Sequence, residues 1–423
     1  MPIQAENLLE LYKLAEQHNP QLKIADSERL VAQQKKPQAQ APLSPQVTLT
    51  ANAVENWNDN GGQDMENTTI GYNASLSYAI YRRNLNIQLK QTDGIIIQAE
   101  ANYETAKQAL IKRLADSYFA VLAASDNIEF TLGAKKAFLK QLDDAKQRFE
   151  VGLIAITDVQ EAQAGYDLAV ADVIAAQNQL DNSHESLRSI TGTYHEILAT
   201  LKTEAPVMEP KTNELDVWTE IALQQNPQIL AIQQDLEVAT QEVAKQRAAN
   251  LPTLDLVSNF NHSDSVRGDE NQFGNKVKGA SVGLQLNYSL YSGGIVQSRI
   301  KEAQQRRIQT LDRLEQQRRT VQMQTRQAFL NLLSNISKIK ALQQALKSTQ
   351  IALKAIQTGF DLGTRTSVDV VNAQRDLLRA QSNHSTARYA YVLSTLQLKQ
   401  AAGMLSLDDL KIVNGWLIED SKL

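Results

Sequence analysis

One segment of this 423-residue chain has the spacing of a catalytic nucleophile. Residues 279–283 read Gly-Ala-Ser-Val-Gly, the G-x-S-x-G pattern that places a serine on a sharp strand-to-helix turn for acyl transfer. Here apolar residues go on alternating with small or polar ones from position 281 to position 290, which predicts one uninterrupted strand. Ser281 is therefore interpreted as a small residue on a strand, and we predict that the protein is not an enzyme.

Other residue types that bind metals, cofactors or nucleic acids show no matching pattern either. The chain has no cysteine, and its net charge of −4 lacks the basic excess of a nucleic-acid-binding domain. No glycine-rich phosphate loop joins a strand to a helix. The five histidines do not have metal-ligand spacing: His18, His184, His195, His262 and His384. We expect no cofactor, no metal and no nucleic-acid partner.

Two near copies of a hairpin motif are the most distinctive feature of the chain. Residues 149–158 read Phe-Glu-Val-Gly-Leu-Ile-Ala-Ile-Thr-Asp, and residues 360–369 read Phe-Asp-Leu-Gly-Thr-Arg-Thr-Ser-Val-Asp. In each copy a long helical pattern without proline reaches a glycine, Gly152 or Gly363, where the C-terminus of a helix favours a left-handed residue. A second helical pattern then begins. Each motif predicts the tip of a long helical hairpin.

The two tips belong to an internal repeat with a period of roughly 210 residues. An Asn-Pro-Gln tripeptide at Pro20 recurs at Pro227, and Gly192 recurs as Gly403. We predict that the first repeat covers residues 1–205, the second covers 206–403, and a C-terminal segment covers 404–423. Each repeat is predicted to hold two strands followed by two long helices: strands at about 46–57 and 70–81 with helices at about 84–149 and 154–190, then strands at about 252–262 and 279–291 with helices at about 294–359 and 365–402.

The predicted strands are amphipathic. In the second of them, Tyr72, Leu76 and Ile80 lie on the apolar side of a strict alternation. Segments of ~10 alternating residues are typical of a transmembrane β-barrel with a polar interior, although a half-buried sheet in a soluble domain has the same pattern. The mean hydropathy is −0.36, and no run approaches the ~20 apolar residues of a transmembrane helix. A membrane role would therefore depend on the strands.

The predicted long helices carry heptad patterns, which indicate left-handed supercoiling. In the last helix one heptad position holds larger residues and another holds small ones: Val370, Leu377, His384, Tyr391 and Leu398 against Ala373, Ala380, Ala387, Ser394 and Ala401. Two seams on one helix predict two helical neighbours, as in a cylinder of helices, whereas a two-stranded coiled coil needs only one seam. A soluble coiled-coil scaffold is therefore the alternative function.

Four strands are too few to close a membrane barrel, for which about eight is the practical minimum. Lipid around an open sheet would leave its edge backbone groups unsatisfied, at several kcal/mol each. If the strands span a membrane, the chain must therefore oligomerise. The predicted fold class is mainly α with membrane β: a trimeric 12-stranded β-barrel, four strands per chain, continued by a long α-helical coiled-coil barrel.

The chain resembles the TolC-type outer-membrane efflux channels of Gram-negative bacteria over nearly its whole length, roughly residues 6–410. The resemblance rests on both tip motifs, both Asn-Pro-Gln helices, the Leu-Pro-Thr-Leu-Asp-Leu run at 251–256 and the Tyr-x-Gly-Gly turn at Tyr291. It implies a homotrimer with a β-barrel in the lipid of the outer membrane and a helical tunnel across the periplasm. Residues 404–423 would form an equatorial segment. The absence of a signal peptide indicates a mature form.

The same resemblance implies an exit duct for drugs, small molecules or secreted proteins. A periplasmic adaptor and an RND, ABC or MFS pump of the inner membrane would supply the duct, and an iris-like gate would close the tips. Arg365 matches the gate arginine of the family and Asp158 its carboxylate partner, with Thr157, Phe360 and Gln141 as further gate residues. In the family a tyrosine is usual at the position of Phe360.

Two further sets of residues complete the predicted site. Asp369 and Asn372 match the constriction ring, but Asn372 stands where a second aspartate is usual, so a trimer would present one ring of carboxylates instead of two. The turn residues of both tips match the docking surface for the adaptor: Val151, Gly152, Leu153, Leu362, Gly363 and Thr364.

Overall fold

The computed structural model describes residues 5–59, 64–210, 214–267 and 276–418, and the same order of long elements occurs in it twice. The first series is α1 (Leu8–His18), α2 (Pro20–Gln40), β1 (Gln46–Asp59), β2 (Asp64–Tyr81), α3 (Arg83–Glu150) and α4 (Ile156–Thr191), followed by the short β3 (Thr200–Leu201). The second is α5 (Leu215–Gln225), α6 (Pro227–Ala248), β4 (Thr253–Arg267), β5 (Val277–Asn287), α7 (Ile295–Asp361) and α8 (Ser367–Ala401), followed by α9 (Leu407–Asn414) and β6 (Leu417–Ile418).

The chain divides into two compact units, and each repeat contributes to both. Unit 1 consists of Met1–Asp26, Tyr103–Ile229 and Arg318–Leu423, and unit 2 of Ser27–Asn102 and Leu230–Gln317. The limits of the units fall inside helices, so they differ from the limits of the sequence repeats. Among the described residues, no helix is both long and apolar enough to span a bilayer.

Unit 2 contains one antiparallel sheet with the strand order β1-β2-β4-β5. The register places Leu49, Ala74, Phe260 and Ala280 opposite one another across the four strands. Because residues that face each other across a ladder point to the same side, the apolar residues of all four strands share one face of the sheet. Among the described residues, the edge strands β1 and β5 each have a partner on one side only.

Several strand ends differ from the predicted bounds, and two of the differences have a simple pairing reason. The loop predicted after residue 57 is shorter, because β1 and β2 remain paired as far as Asp59 and Asp64. At the other end, β5 stops at Asn287, short of the predicted 291, because its partner on β4 is Thr253, the first residue of that strand. Alternation alone does not report where the neighbouring strand begins.

An ion pair between a partly exposed arginine and a buried aspartate joins the end of β2 to the start of β4. Nε of Arg82 donates to Oδ1 of Asp255 at 2.7 Å, and Nη2 donates to Oδ2 at 2.8 Å. The Asp255 side chain is buried, and the register of the sheet shifts next to the pair, between Ala79 and Tyr81. A two-point bond between a guanidinium and a carboxylate fixes orientation as well as distance.

Replacing Asp255 with asparagine is expected to lower the free energy of unfolding by about 1–2 kcal/mol, because a two-point charge-assisted bond is lost while the Arg82 side chain, 42% exposed, keeps its contact with water. Asp93→Asn is the matched control: Asp93 accepts from Lys36 at 2.8 Å in an exposed pair of the same unit, and such pairs contribute about 0–1 kcal/mol. Thermal unfolding of both variants in one detergent measures the difference. Equal losses of stability would contradict a special role for the Asp255 pair.

In unit 1 the Asn-Pro-Gln motifs each join two helices. The side-chain NH₂ of Asn19 donates to the carbonyl of Ile190 at 3.3 Å, and that of Asn226 donates to the carbonyl of Ala401 at 3.0 Å. The amide oxygen of Asn226 accepts from the N–H of Gln228 at 2.9 Å, which caps α6. Proline at the first helical position costs no backbone hydrogen bond. Each motif therefore starts a helix and holds the end of α4 or α8.

Candidate functional site at the hairpin tips

The first tip, between α3 and α4, is closed by a glycine-centred turn. The N–H of Gly152 donates to the carbonyl of Phe149 at 2.9 Å, and the N–H of Leu153 donates to the carbonyl of Arg148 at 2.8 Å. This pair of bonds is the Schellman motif, which needs a left-handed residue at its centre. Gly152 supplies it with φ of 74°. The chain therefore reverses within a few residues and exposes the turn.

The second tip, between α7 and α8, repeats this turn and adds a cation. The N–H of Gly363 (φ 77°) donates to the carbonyl of Phe360 at 2.9 Å, and that of Thr364 donates to the carbonyl of Gly359 at 2.8 Å. The side chain of Arg365 lies against Gly359, where a Cβ would come within 2.8 Å of its Cγ. Gly359 therefore makes room for Arg365. No sequence motif indicated this role of Gly359.

Asp158 and Asp369 occupy equivalent positions at the starts of α4 and α8. The carboxylate of Asp158 accepts from the N–H of Ala155 at 3.3 Å. That of Asp369 accepts from both the N–H and the hydroxyl of Thr366, each at 2.9 Å, and the Thr366 hydroxyl accepts in turn from the Asp369 N–H at 3.2 Å. The second arrangement is a complete capping box, which the T-x-x-D spacing makes readable from sequence.

The capping box also controls the charge of Asp369. Hydrogen bonds from the Thr366 backbone N–H and then from its hydroxyl, with a smaller contribution from the positive charge of Arg365, hold the pKa of Asp369 below its ordinary value. The carboxylate therefore stays ionised as the pH falls through that ordinary value and is protonated only at lower pH. Any cation site built from Asp369 keeps its charge over the same range.

Thr366→Ala is expected to raise the pKa of Asp369 towards its ordinary value, because the hydroxyl donor is lost. If Asp369 binds blocking cations in the pore, the pH at which block is half lost should move upwards, while block at pH 7 should stay unchanged. Thr366→Ser keeps the hydroxyl and is the control. Titration of multivalent-cation block in planar bilayers tests this, and identical midpoints for the alanine and serine variants would contradict it.

The structure does not bring Arg365 and Asp158 together within one chain. Within the described ranges, Arg365 makes no ion pair and its charge acts on Asp369, while the carboxylate of Asp158 accepts from Ala155 at the other tip. Both side chains are exposed. An Arg365–Asp158 link therefore requires a second copy of the chain.

The remaining predicted gate residues lie near the two tips: Gln141 and Thr157 at the first, and Phe360 at the second. Gln141 is half-buried on α3 beside Leu142, which packs in a small core with Val159 and Ala162 of α4. Thr157 is exposed in the first turn of α4. Phe360 is half-buried, so its ring is available for packing in the last turn of α7.

Asp369 and Asn372 lie on one face of α8, where they line a groove of about 210 Å³ with Thr349 and Ile356 of α7. The groove also contains Asp376, which the sequence analysis did not single out. Asp376 lies one heptad after Asp369 in the sequence, and this spacing could have indicated that the two residues share a face of α8. The side chain of Asn372 is exposed and carries no charge.

The turn residues of both tips present apolar side chains to solvent. Val151 is 69%, Leu153 73% and Leu362 75% exposed. Neither Gly152 nor Gly363 has an atom within 4 Å of the place of a Cβ, so both turns are open on their outer side. Exposed apolar groups at the end of a rigid hairpin are suited to contact another protein.

A chain with one amphipathic sheet open at both edges and long helices ending in capped hairpins has the architecture of an outer membrane channel. The sequence pattern described as "Outer membrane efflux protein" matches residues 11–193 and 218–404. The chain is 37% identical to the outer membrane protein TolC of Vibrio cholerae, over 98% of this chain and 94% of that protein. It is 28% identical to the alkaline protease secretion protein AprF of Pseudomonas aeruginosa, over 97% and 87%.

The CmeC outer membrane channel of Campylobacter jejuni has the same fold, with a TM-score of 0.81 at 17% identity, over 98% of this chain and 90% of that chain. The chain belongs to the outer membrane efflux protein family. The predicted family, fold class and outer-membrane location, with the helical part in the periplasm, are confirmed. The protein is an outer-membrane exit duct for efflux or secretion and not an enzyme, so the alternative of a soluble scaffold is excluded.

Proposed function

We propose that three copies of this chain form the exit duct of a tripartite efflux or type I secretion system, docked to a periplasmic adaptor and fed by an inner-membrane pump of the RND, ABC or MFS class. The relatives support both kinds of transport, efflux and protein secretion, because TolC and a protease secretion protein each match nearly the whole chain. The conclusion depends most on one observation: the sheet has an apolar face and two unpaired edges.

The unpaired edges of the sheet indicate that several copies of the chain assemble. In lipid, each unpaired backbone N–H or C=O group at a strand edge costs several kcal/mol. The free sides of β1 and β5 must therefore pair with other strands. β1 and β5 run antiparallel to each other, because each step across the sheet is antiparallel. A neighbouring copy can therefore extend the ladder from β5 to its own β1 without changing the pattern, and three copies give a closed sheet of about twelve strands.

The tips then form a gate. Closure of the ring would place the second tip of one copy next to the first tip of another, where Arg365 could bind Asp158. Within the described residues Arg365 makes no ion pair, although its charge acts on Asp369 of the same chain, and its guanidinium is exposed. Both observations support an intermolecular role. Thr157, Gln141 and the ring of Phe360 would pack around the link, and Asp369 with Asn372 would line the constriction.

The exposed turns 151–153 and 362–364 are proposed as the docking surface for the adaptor. The chain has no cysteine, so a single engineered thiol gives an unambiguous cross-link. Leu362→Cys is preferable to a cysteine at Gly363, because φ of 77° at that glycine strains any side chain. Ser337→Cys, on the exposed side of α7, is the control.

In intact cells, a thiol-linked photocross-linker at residue 362 is expected to capture a periplasmic adaptor, identified by mass spectrometry, whereas residue 337 should capture it at least several-fold less. Equal capture at both residues, or capture at 362 of other copies of this chain alone, would contradict docking at the tips. The result would not affect the assignment of the chain as a duct.

A further inference from the structure

A half-open apolar cavity lies in unit 1, away from the hairpin tips. Its volume is about 300 Å³, and four separate segments of unit 1 line it. Trp218 of α5, Leu332 of α7, Leu398 of α8 and Val413 of α9 are all buried in its wall, and Trp416 follows α9 at its edge. The volume is at the lower end of the range of small-molecule sites, roughly 300–1,000 Å³.

The polar side chains that line the cavity have partners inside the protein. The hydroxyl of Tyr391 donates to the carbonyl of Met208 at 3.0 Å and accepts from its N–H at 2.7 Å. The carboxylate of Asp409 accepts from the ammonium of Lys399 and from the N–H of Ser406 at 2.9 Å. These groups therefore need no hydrogen bond or counter-charge from a bound molecule. Glu209, which also lines the cavity, is exposed and pairs with Lys340 at 3.8 Å. The cavity therefore offers a ligand apolar contact and no unpaired charge.

Side chains that can adapt their shape line the mouth of the cavity. Met208, Met404 and Ile412 line it and are exposed, at 51%, 39% and 49%. Methionine is unbranched and polarizable, so it adapts to ligands of different shape. Met208 belongs to the short segment before α5 whose backbone is bonded to the Tyr391 hydroxyl.

We infer that this cavity is a binding site for one neutral, lipophilic small molecule, such as a compact alicyclic or aromatic compound. A charged ligand is disfavoured because no unpaired counter-charge faces it, and an inserted protein side chain would fill only part of about 300 Å³. The site is separate from the constriction at Asp369 and does not depend on the gate. Burial of its apolar lining supplies the affinity.

The probe is adamantyl diazirine, a small neutral photolabel, applied to the full-length protein in lipid nanodiscs. Labelled peptides are mapped by mass spectrometry, with and without excess adamantane. We expect saturable labelling of residues 404–416, which adamantane abolishes. Labelling of the lipid-facing strand residues should be non-saturable and acts as an internal reference.

Two variants test the location of the site. Thr395→Trp, from the half-buried face of α8, fills the cavity, and Ile412→Trp closes its mouth without altering a buried position. Either should reduce the saturable labelling roughly tenfold, equivalent to about 1.4 kcal/mol of binding. Gln397→Trp adds the same side chain on the exposed side of α8 and should have no effect.

Other occupants give a different result. If another part of the chain, a second copy or a partner protein covers the cavity, residues 404–416 will show no saturable labelling, and the inference is overturned. It is equally overturned if labelling persists in both filled variants while each still folds and assembles, as judged by its oligomer on native gels.

Discussion

Arg365→Ser is expected to raise the single-channel conductance of the protein in planar bilayers, because it removes the cation that we place in the gate. The guanidinium is exposed in one chain and lies beside the turn at Gly359, from which it can reach a neighbouring copy. An isolated exposed ion pair contributes only about 0–1 kcal/mol, but a two-point guanidinium–carboxylate bond is stronger, and a closed ring contains one link per copy. A total of about 3 kcal/mol would shift the ratio of closed to open channels by roughly 100-fold.

The matched control is Arg379→Ser, which removes the same charge from an exposed position of α8 away from the turn. It should leave the conductance unchanged, whereas Asp158→Asn should act like Arg365→Ser. A double variant should then add little to either single change, because both remove one interaction. Unchanged conductance in Arg365→Ser would remove Arg365 from the gate.

Asn372→Asp is expected to tighten block of the pore by multivalent cations. The substitution places a carboxylate between Asp369 and Asp376, beside the groove that both of them line. In a trimer it would add a ring of three carboxylates at position 372 to the ring at Asp369. A larger number of negative charges near the axis attracts a cation more strongly. We expect the blocking concentration of a trivalent cation to fall at least tenfold at low ionic strength and less at high ionic strength, where screening is stronger.

Asn372→Gln keeps an amide at this position and separates the effect of charge from that of side-chain shape. It should leave block unchanged. Equal block in Asn372→Asp and in the unchanged protein would show that position 372 does not face the axis. Because Asp376 lines the same groove, Asp376→Asn is a useful companion: it should weaken block only if that carboxylate also faces the axis.

Periodicity made most of the fold predictable. The strand alternation predicted which residues share a face, and the register of Leu49, Ala74, Phe260 and Ala280 shows them opposite one another. The short pair β3 and β6 was missed, because strands of two residues have no alternation to read. The Arg82–Asp255 pair was also missed, since residues far apart in sequence carry no shared local pattern.

The site was predictable only in part. The glycines of both turns and the capping pair of Thr366 and Asp369 follow from local rules for helix ends, and the structure shows those bonds. The role of Gly359 depends on where the Arg365 side chain lies, which no local rule gives. The gate, constriction and docking roles concern contacts between chains, so they stay predictions that came from the family resemblance.

The central claim is that copies of this chain close a ring through the free edges of β1 and β5. Cysteines at Leu49 and at Val282, Leu284 or Leu286, introduced as pairs into the cysteine-free chain, test it directly. These residues are on opposite edges of a four-stranded sheet, about 14 Å apart at 4.8 Å per strand, too far for a disulfide within one chain. After oxidation in the outer membrane, at least one pair should yield covalent species that end at three chains on a denaturing gel. Monomers alone for every pair, or a ladder that continues beyond three, would contradict the closed trimer.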